Sequence, residues 1–222
     1  MTYRELINQV LIRLREDTIA TDWSGNINDA VNVSAYHKLI GSLINDSKRS
    51  IEGYHDWLNL RETKSFNTVS GTKNYNLSSG QEIKILDAVN TNSGHHLKQV
   101  SKVYINTVKF PTDDDGQPFY YSFNGSDSSN NLKIDLSPVP TSVETINFEL
   151  VKYQDDLSTA ASVLKIPSKP VILGAWARAI SERGEDGGTQ SSLMAEEASE
   201  ALKQAIILDS GNTQYESDWY IN

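Results

Sequence analysis

The chain has no cysteine, which excludes disulfides, thiolate metal sites and cysteine nucleophiles. It has no apolar run approaching the roughly 20 residues that a membrane-spanning helix requires. Its N-terminal MTYRELINQVLIRLRED carries Arg13 and Arg15 within the apolar pattern, so it reads as an amphipathic helix and not as a signal peptide. The expectation is a soluble protein made in the cytoplasm. Lys/Arg runs and basic helical faces are also missing, and the formal net charge is −9. Phosphate binding needs clustered cations, so specific nucleic-acid binding is not expected. No G-x-S-x-G, H-E-x-x-H or Walker pattern occurs, and there is no internal repeat or low-complexity tract.

What is present is helical at both ends and strand-rich between. The 222 residues suffice for one or two domains with a real core. A first helix spans about 2–16, opened by a Thr2-x-x-Glu5 capping box, with Tyr3, Leu6, Ile7, Val10, Leu11 and Leu14 as its stripe. Residues 17–33 are polar and turn-rich. Residues 34–61 then read as one long amphipathic helix. Tyr36, Leu39, Ile40, Leu43, Ile44, Ile51, Tyr54 and Leu58 recur on it at helical spacing. They fill an arc about 140° wide with the small Ser47 near its centre, where a second helix can approach closely.

From 63 to 165 the pattern turns to short strands. ETKSFNTVSGTKNYNLSSG gives two around a Ser70-Gly71 turn, and IKILDAV (83–89) gives a third. PFYYSFN (118–124), NLKIDL (131–136) and ETINFELVKY (144–153) follow, separated by Gly, Asn, Asp, Ser and Pro clusters. SKVYINTVKF (101–110) fits either a strand or a short helix capped by Ser101. Helical character returns at 166–208. Ser168 is the expected N-cap, Pro170 is tolerated in the first turn, and Gly184–Gly188 separates two helices. The apolar sides are Ile172, Leu173, Trp176, Ala179 and Ile180, then Met194, Ala198, Ala201, Leu202, Ala205 and Ile206.

Neither helix pair can bury its stripe alone. The expected class is therefore α+β: a four-helix bundle from 1–62 and 166–208, an inserted antiparallel β-sandwich or barrel over 63–165, and an extended C-terminal arm over 209–222. Leu39, Ile40, Leu43, Ile44, Ile51, Trp176 and Leu202 are the expected bundle-packing residues. The arm is acidic, has no base, and carries Tyr215, Trp219, Tyr220 and Ile221 after a Ser210-Gly211-Asn212 segment. Aromatic anchors in such an arm suit a segment that orders on a partner or neighbour, with folding back on its own subunit as the alternative.

Candidate chemistry is sparse. His37 and His55 lie about five turns apart on one helix, roughly 27 Å, too far to share a metal. His95 and His96 are adjacent in a turn and diverge. Thr112-Asp113-Asp114-Asp115-Gly116 lacks the alternating acids and final Glu of a calcium loop. Asp186-Gly187-Gly188 lacks the strand and spacing of a dinucleotide site and reads as a hinge. Glu196 and Glu197 lie on a polar helix surface. Phe119, Tyr120, Tyr121 and Phe123 offer rings for stacking a sugar or base, but alternation puts Tyr120 opposite Phe119 and Tyr121, and sheet packing is the simpler reading. Catalytic residues, cofactors and metals are not expected.

The order of these elements resembles the head-to-tail adaptor proteins of tailed phages, also called tail tubular protein A in short-tailed phages. The resemblance rests on YHDWLNLRETKSF (54–66), GTKNYNLSS (71–79), GQPFYYSFNG (116–125), LKIDLSPVP (132–140), INFELVKY (146–153) and IPSKPVILGAWARAISERGED (166–186), and covers roughly residues 1–205. It implies a structural virion protein at the head–tail junction, synthesised in the bacterial host cytoplasm. Such proteins form a twelve-subunit ring between the portal protein and the tail nozzle or tail tube protein, without membrane contact. The resemblance also implies that helices build and line the ring, that the β insertion points outward or toward the tail, and that DNA passes through the lumen. Twelve copies at −9 would carry on the order of 100 negative charges in all, and an acidic channel repels DNA, which suits a conduit. Two rival readings are a binding module whose β insertion recognises carbohydrate or a host surface, and a small hydrolase acting through carboxylates.

Overall fold

The computed structural model describes residues 1–79, 83–106, 115–129, 131–184 and 188–211. The chain divides into two compact units. One comprises Met1–Leu60 and the chain from Gln154 onward, and the other is Arg61–Tyr153.

In the helical unit, α1 (Tyr3–Leu14) starts at the expected capping box. Glu5 N donates to Thr2 Oγ1 at 3.3 Å and Thr2 N donates to Glu5 Oε2 at 2.8 Å. These bonds hold the Glu5 carboxyl below the usual range, the Thr2 backbone N–H being the main cause. Helix α1 ends at Arg15, which adopts a left-handed conformation. Helix α2 (Ala35–Glu52) begins at Ser34, whose hydroxyl accepts from His37 N. It stops nine residues before the expected 61. Gly53 and Tyr54 N–H groups turn back onto Ile51 O, and the buried Trp57 indole donates to that same carbonyl at 3.0 Å. Burying the indole folds 53–60 back, and Leu58–Leu60 forms a 3-10 turn.

Residues 17–33 are anchored although they are polar. Ile19, Trp23, Ile27, Ala30 and Val33 are buried around a 3-10 turn at Ile27–Asp29. Trp23 Nε1 and Ile27 N both donate to Ser158 O.

The β unit holds ten strands among its described residues: β1 (Arg61–Asn67), β2 (Asn74–Ser79), β3 (Ile83–Asn90), β4 (His95–His96), β5 (Lys98–Gln99), β6 (Asp115–Gly116), β7 (Tyr120–Ser126), β8 (Asn131–Ser137), β9 (Val139–Pro140) and β10 (Thr145–Lys152). They form sheets ordered β1-β10-β3-β4, β2-β8-β7-β5 and β6-β9. The expectation of an all-antiparallel insertion needs correcting, because β5–β7 and β6–β9 pair in parallel. No closed barrel is formed by the described residues. Short runs after tight turns can add to an edge in either direction, which strand patterning alone does not encode. One apolar cluster draws Leu77, Tyr121, Ile134 and Leu136 from one four-stranded sheet and Ala88, Ile146, Phe148 and Leu150 from the other. Rings from the two sheets meet: Phe66 stacks on Tyr75 at 4.8 Å, and Tyr121 meets Phe148 edge-on at 5.2 Å. Residues 102–104 form the single turn α3 (Lys102–Tyr104), with Ser101 Oγ accepting from Tyr104 N. The remainder of that ambiguous segment, 107–110, lies outside the described residues.

The last third contributes α4 (Ser168–Arg183) and α5 (Thr189–Gly211). The expected Ser168 cap is not made. Ser168 is already helical, and no side chain caps this end. Gly184 takes φ +65 and closes α4. Helices α1, α2 and α4 pack against one another, and α5 runs along α4.

Candidate assembly surface of the helical unit

Helix α2 positions this surface. On one side Gly41 meets Tyr3 of α1 so closely that an added Cβ would lie 2.5 Å from Tyr3 Oη. On another, Ser47 meets Gly174 of α4, where an added Cβ would lie 3.1 Å from Ser47 Oγ. The small residue at the centre of the stripe thus sets the approach of α4. Burial, with a smaller contribution from the Asp156 charge, pushes the Tyr3 phenol well above its ordinary value.

The bundle-packing candidates are placed as follows. Ile40, Ile44 and Ile51 are buried, Leu43, Trp176 and Leu202 are half-buried, and Leu39 is 37% exposed. Tyr54, at the expected stripe's far end, is 69% exposed because α2 has already ended. The guanidinium of Arg13 lies 6.0 Å from the centre of the Trp176 ring. Arg183 donates to Tyr36 Oη at 2.9 Å and pairs with Glu16, joining the ends of α4, α2 and α1.

Two α2 residues with no place in the apolar stripe lie buried beside it. Lys48 and Glu52 form a fully buried ion pair at 3.1 Å. Lys48 Nζ also donates to Gln154 O, and Gln154 N donates to Glu52 Oε1 at 3.3 Å. One turn earlier, Asn45 clamps both backbone groups of Leu157, each at 3.0 Å. Arg49 pairs with Asp156 at 2.8 Å. Gln154, Asp156 and Leu157 are therefore bonded to α2, and this stretch belongs to the helical unit, the β unit ending at Tyr153. An i, i+4 Lys–Glu pair in sequence ordinarily signals a solvated helix surface. The backbone that covers this pair lies over a hundred positions away, so local spacing carried no sign of it.

The far end of α5 is tied down as well. Asp209 accepts from Leu58 N at 3.2 Å and lies 2.9 Å from His55 Nε2, whose ring sits edge-on to Trp57 at 5.0 Å. Between these points α2, α4 and α5 enclose an open groove of about 400 Å³, with Ser47, Gly174 and Ala198 in its lining and Tyr54 and Leu202 beside them. Helix α5 itself is sparsely covered. Ala201 is its one buried residue, while Leu193, Ile207 and Leu208 stand 56–73% exposed.

The chemistry-bearing residues are scattered. His37 Nε2 meets Asp17 O at 3.1 Å, His96 meets Asp87 at 2.9 Å, and His95 packs beside Phe119. Among the described residues no group of three or more His, Asp or Glu side chains could hold a metal ion, and no helix is long and apolar enough to cross a membrane. Of the aromatic run, Tyr121 is in the β core, Phe123 packs against that core, Tyr120 lies near Tyr104, and Phe119 is exposed. The rings do not form one stacking platform. Thr112–Asp114, Asp186–Gly187, Tyr215, Trp219, Tyr220 and Ile221 lie outside the described residues. What the geometry offers is helical surface for packing.

A family model described as SU10 adaptor protein matches residues 1–218. No curated protein matches the chain.

Proposed function

The chain belongs to the SU10 adaptor protein family, a family of phage adaptors, and on that premise we propose that it is the ring-forming link between portal and tail nozzle in the virion, a conduit for the genome. The observation that carries this reading is a family match spanning both units, joined to a helix, α5, whose outer apolar residues have no cover among the described residues. Exposed Leu193, Ile207 and Leu208 are the kind of surface that a neighbouring copy buries. In this reading α1, α2, α4 and α5 act as the bundle that builds the ring. Leu39, Ile40, Leu43, Ile44, Ile51, Trp176 and Leu202 are its packing residues. The two four-stranded sheets act as the inserted sandwich. The chain from 209 onward is the fastener that docks on a partner through Tyr215, Trp219, Tyr220 and Ile221. Twelve copies, the portal protein and a tail nozzle or tail tube protein are the proposed partners, at the head–tail junction, and no catalytic step is assigned.

Electron microscopy of the protein mixed with its own portal tests the reading. A ring capping the portal is expected, and no association at all would overturn it.

A further inference from the structure

The groove between α2, α4 and α5 has a floor of small side chains, among them Ser47, Gly174 and Ala198. Ser47 is 2% exposed there, and its Oγ has no hydrogen-bond partner. A buried hydroxyl left without a partner costs free energy that an incoming polar group recovers. Arg178 stands at the rim. Its Nη2 donates to the neutral Ser50 Oγ at 3.0 Å, and no carboxylate among the described residues pairs with it.

The described chain stops at Gly211, two positions past Asp209. That carboxylate is held at His55 and Leu58, immediately after Tyr54 at one end of the groove. The residues that follow, NTQYESDWYIN, carry two acids, no base and three aromatic rings. We propose that residues 212–222 of the isolated subunit fold back into that subunit's own groove, with their aromatic rings on the small-residue floor and Glu216 and Asp218 facing Arg178.

The lengths agree. An extended chain advances about 3.3 Å per residue, so Ser217 reaches about 20 Å from Gly211. Ser199 lies twelve helical residues back along α5, about 18 Å at 1.5 Å per residue. An arm tethered at the groove's own mouth binds at high effective concentration, whereas a neighbour's arm must first be captured from solution. The docking concerns the free subunit and stands or falls apart from the ring.

The absence of cysteine permits a direct test. In the full chain carrying Ser199→Cys and Ser217→Cys, oxidation at low micromolar concentration is expected to yield an intramolecular disulfide. The product would be a monomer on a non-reducing gel, running faster than its reduced form. Disulfide-linked multimers would overturn the proposal in favour of a neighbour's groove, and two persistently free thiols would overturn it outright. A second measurement needs no cross-link. The Trp219 contribution, taken as the difference between the parent and Trp219→Phe, should be quenched by neutral acrylamide several-fold less than free indole. Quenching equal to free indole would overturn the proposal even if the double-cysteine variant misfolds. Neither measurement involves the portal, so a failure here is distinguishable from a failure of the ring reading.

Discussion

Helix α4 meets α2 on one side and α5 on another, and the two contacts are built differently. Toward α2 the helices close at Ser47 and Gly174, and α2 buries Ile40, Gly41, Ile44, Ser47, Lys48, Ile51 and Glu52. Toward α5, Ala177, Ala195 and Ala198 line an open groove, and Ala201 is the one α5 residue buried. A contact of the first kind brings two helix backbones together across a single small side chain. A contact of the second kind retains a helix while leaving most of its surface unspent. Within the helical unit, α2 and α4 are therefore committed to burial, whereas α5 keeps most of its side chains exposed.

The sharpest break in this comparison is the buried ion pair. Lys48→Met leaves Glu52 charged, buried and without its cation, a change that costs about 3–5 kcal/mol. Urea denaturation of the variant should show a much lower midpoint, and an unchanged midpoint would mean that the pair is solvated. Next in size is Gly41→Ala, which forces a methyl onto Tyr3 Oη at a cost of about 1–3 kcal/mol. Adding Tyr3→Phe to that variant should restore part of the loss, so that the two changes are non-additive in a double-mutant cycle.

Tyr3 also sets an alkaline limit, because burial first and the Asp156 charge second raise its folded-state pKa. Below the ordinary tyrosine value of about 10 both states keep the proton, and the contribution is fully present. Above it the unfolded state releases the proton and the folded state does not, so stability falls as pH rises from there toward the raised value. Tyr3→Phe should flatten that alkaline limb in unfolding curves taken between pH about 8 and about 11; an equally steep limb in the variant would assign the loss to other groups. The smallest effect belongs to α5. Ile207→Ser with Leu208→Ser should shift subunit stability by no more than about 0.5 kcal/mol per site, while weakening the proposed association between copies of the chain. A loss well beyond that would show that α5's outer face is covered within the subunit.

Much of this architecture was legible locally. The Thr2–Glu5 box, the Ser34 cap, the apolar spacing of Ile40, Ile44 and Ile51, and the small Ser47 are nearest-neighbour signals, and the structure uses each of them. What local spacing could not carry was any feature decided across long chain separation. The stop of α2 at Glu52 depends on Trp57 returning to Ile51 O. The burial of Lys48 and Glu52 depends on Gln154, and the anchoring of α5 depends on Asp209 finding His55 and Leu58. Parallel pairing of the short β5 with β7 and of β6 with β9 likewise joins strands that are not neighbours in the chain. Ile19, Trp23 and Ile27 in the polar loop did leave a signal, isolated apolar residues every four positions, which composition averaged away.

That loop carries one more consequence. Asn8 accepts from Ile19 N at 2.8 Å and donates to Ile19 O at 3.0 Å, as a partner strand would, and Trp23 and Ile27 are both fastened to Ser158. A protease must thread its substrate as an extended stretch, and this segment is pinned at intervals too short to supply one. During limited digestion of the native protein, residues 17–33 should therefore survive uncut despite their polar, loop-like composition. Asn8→Ala should open the first cleavage there.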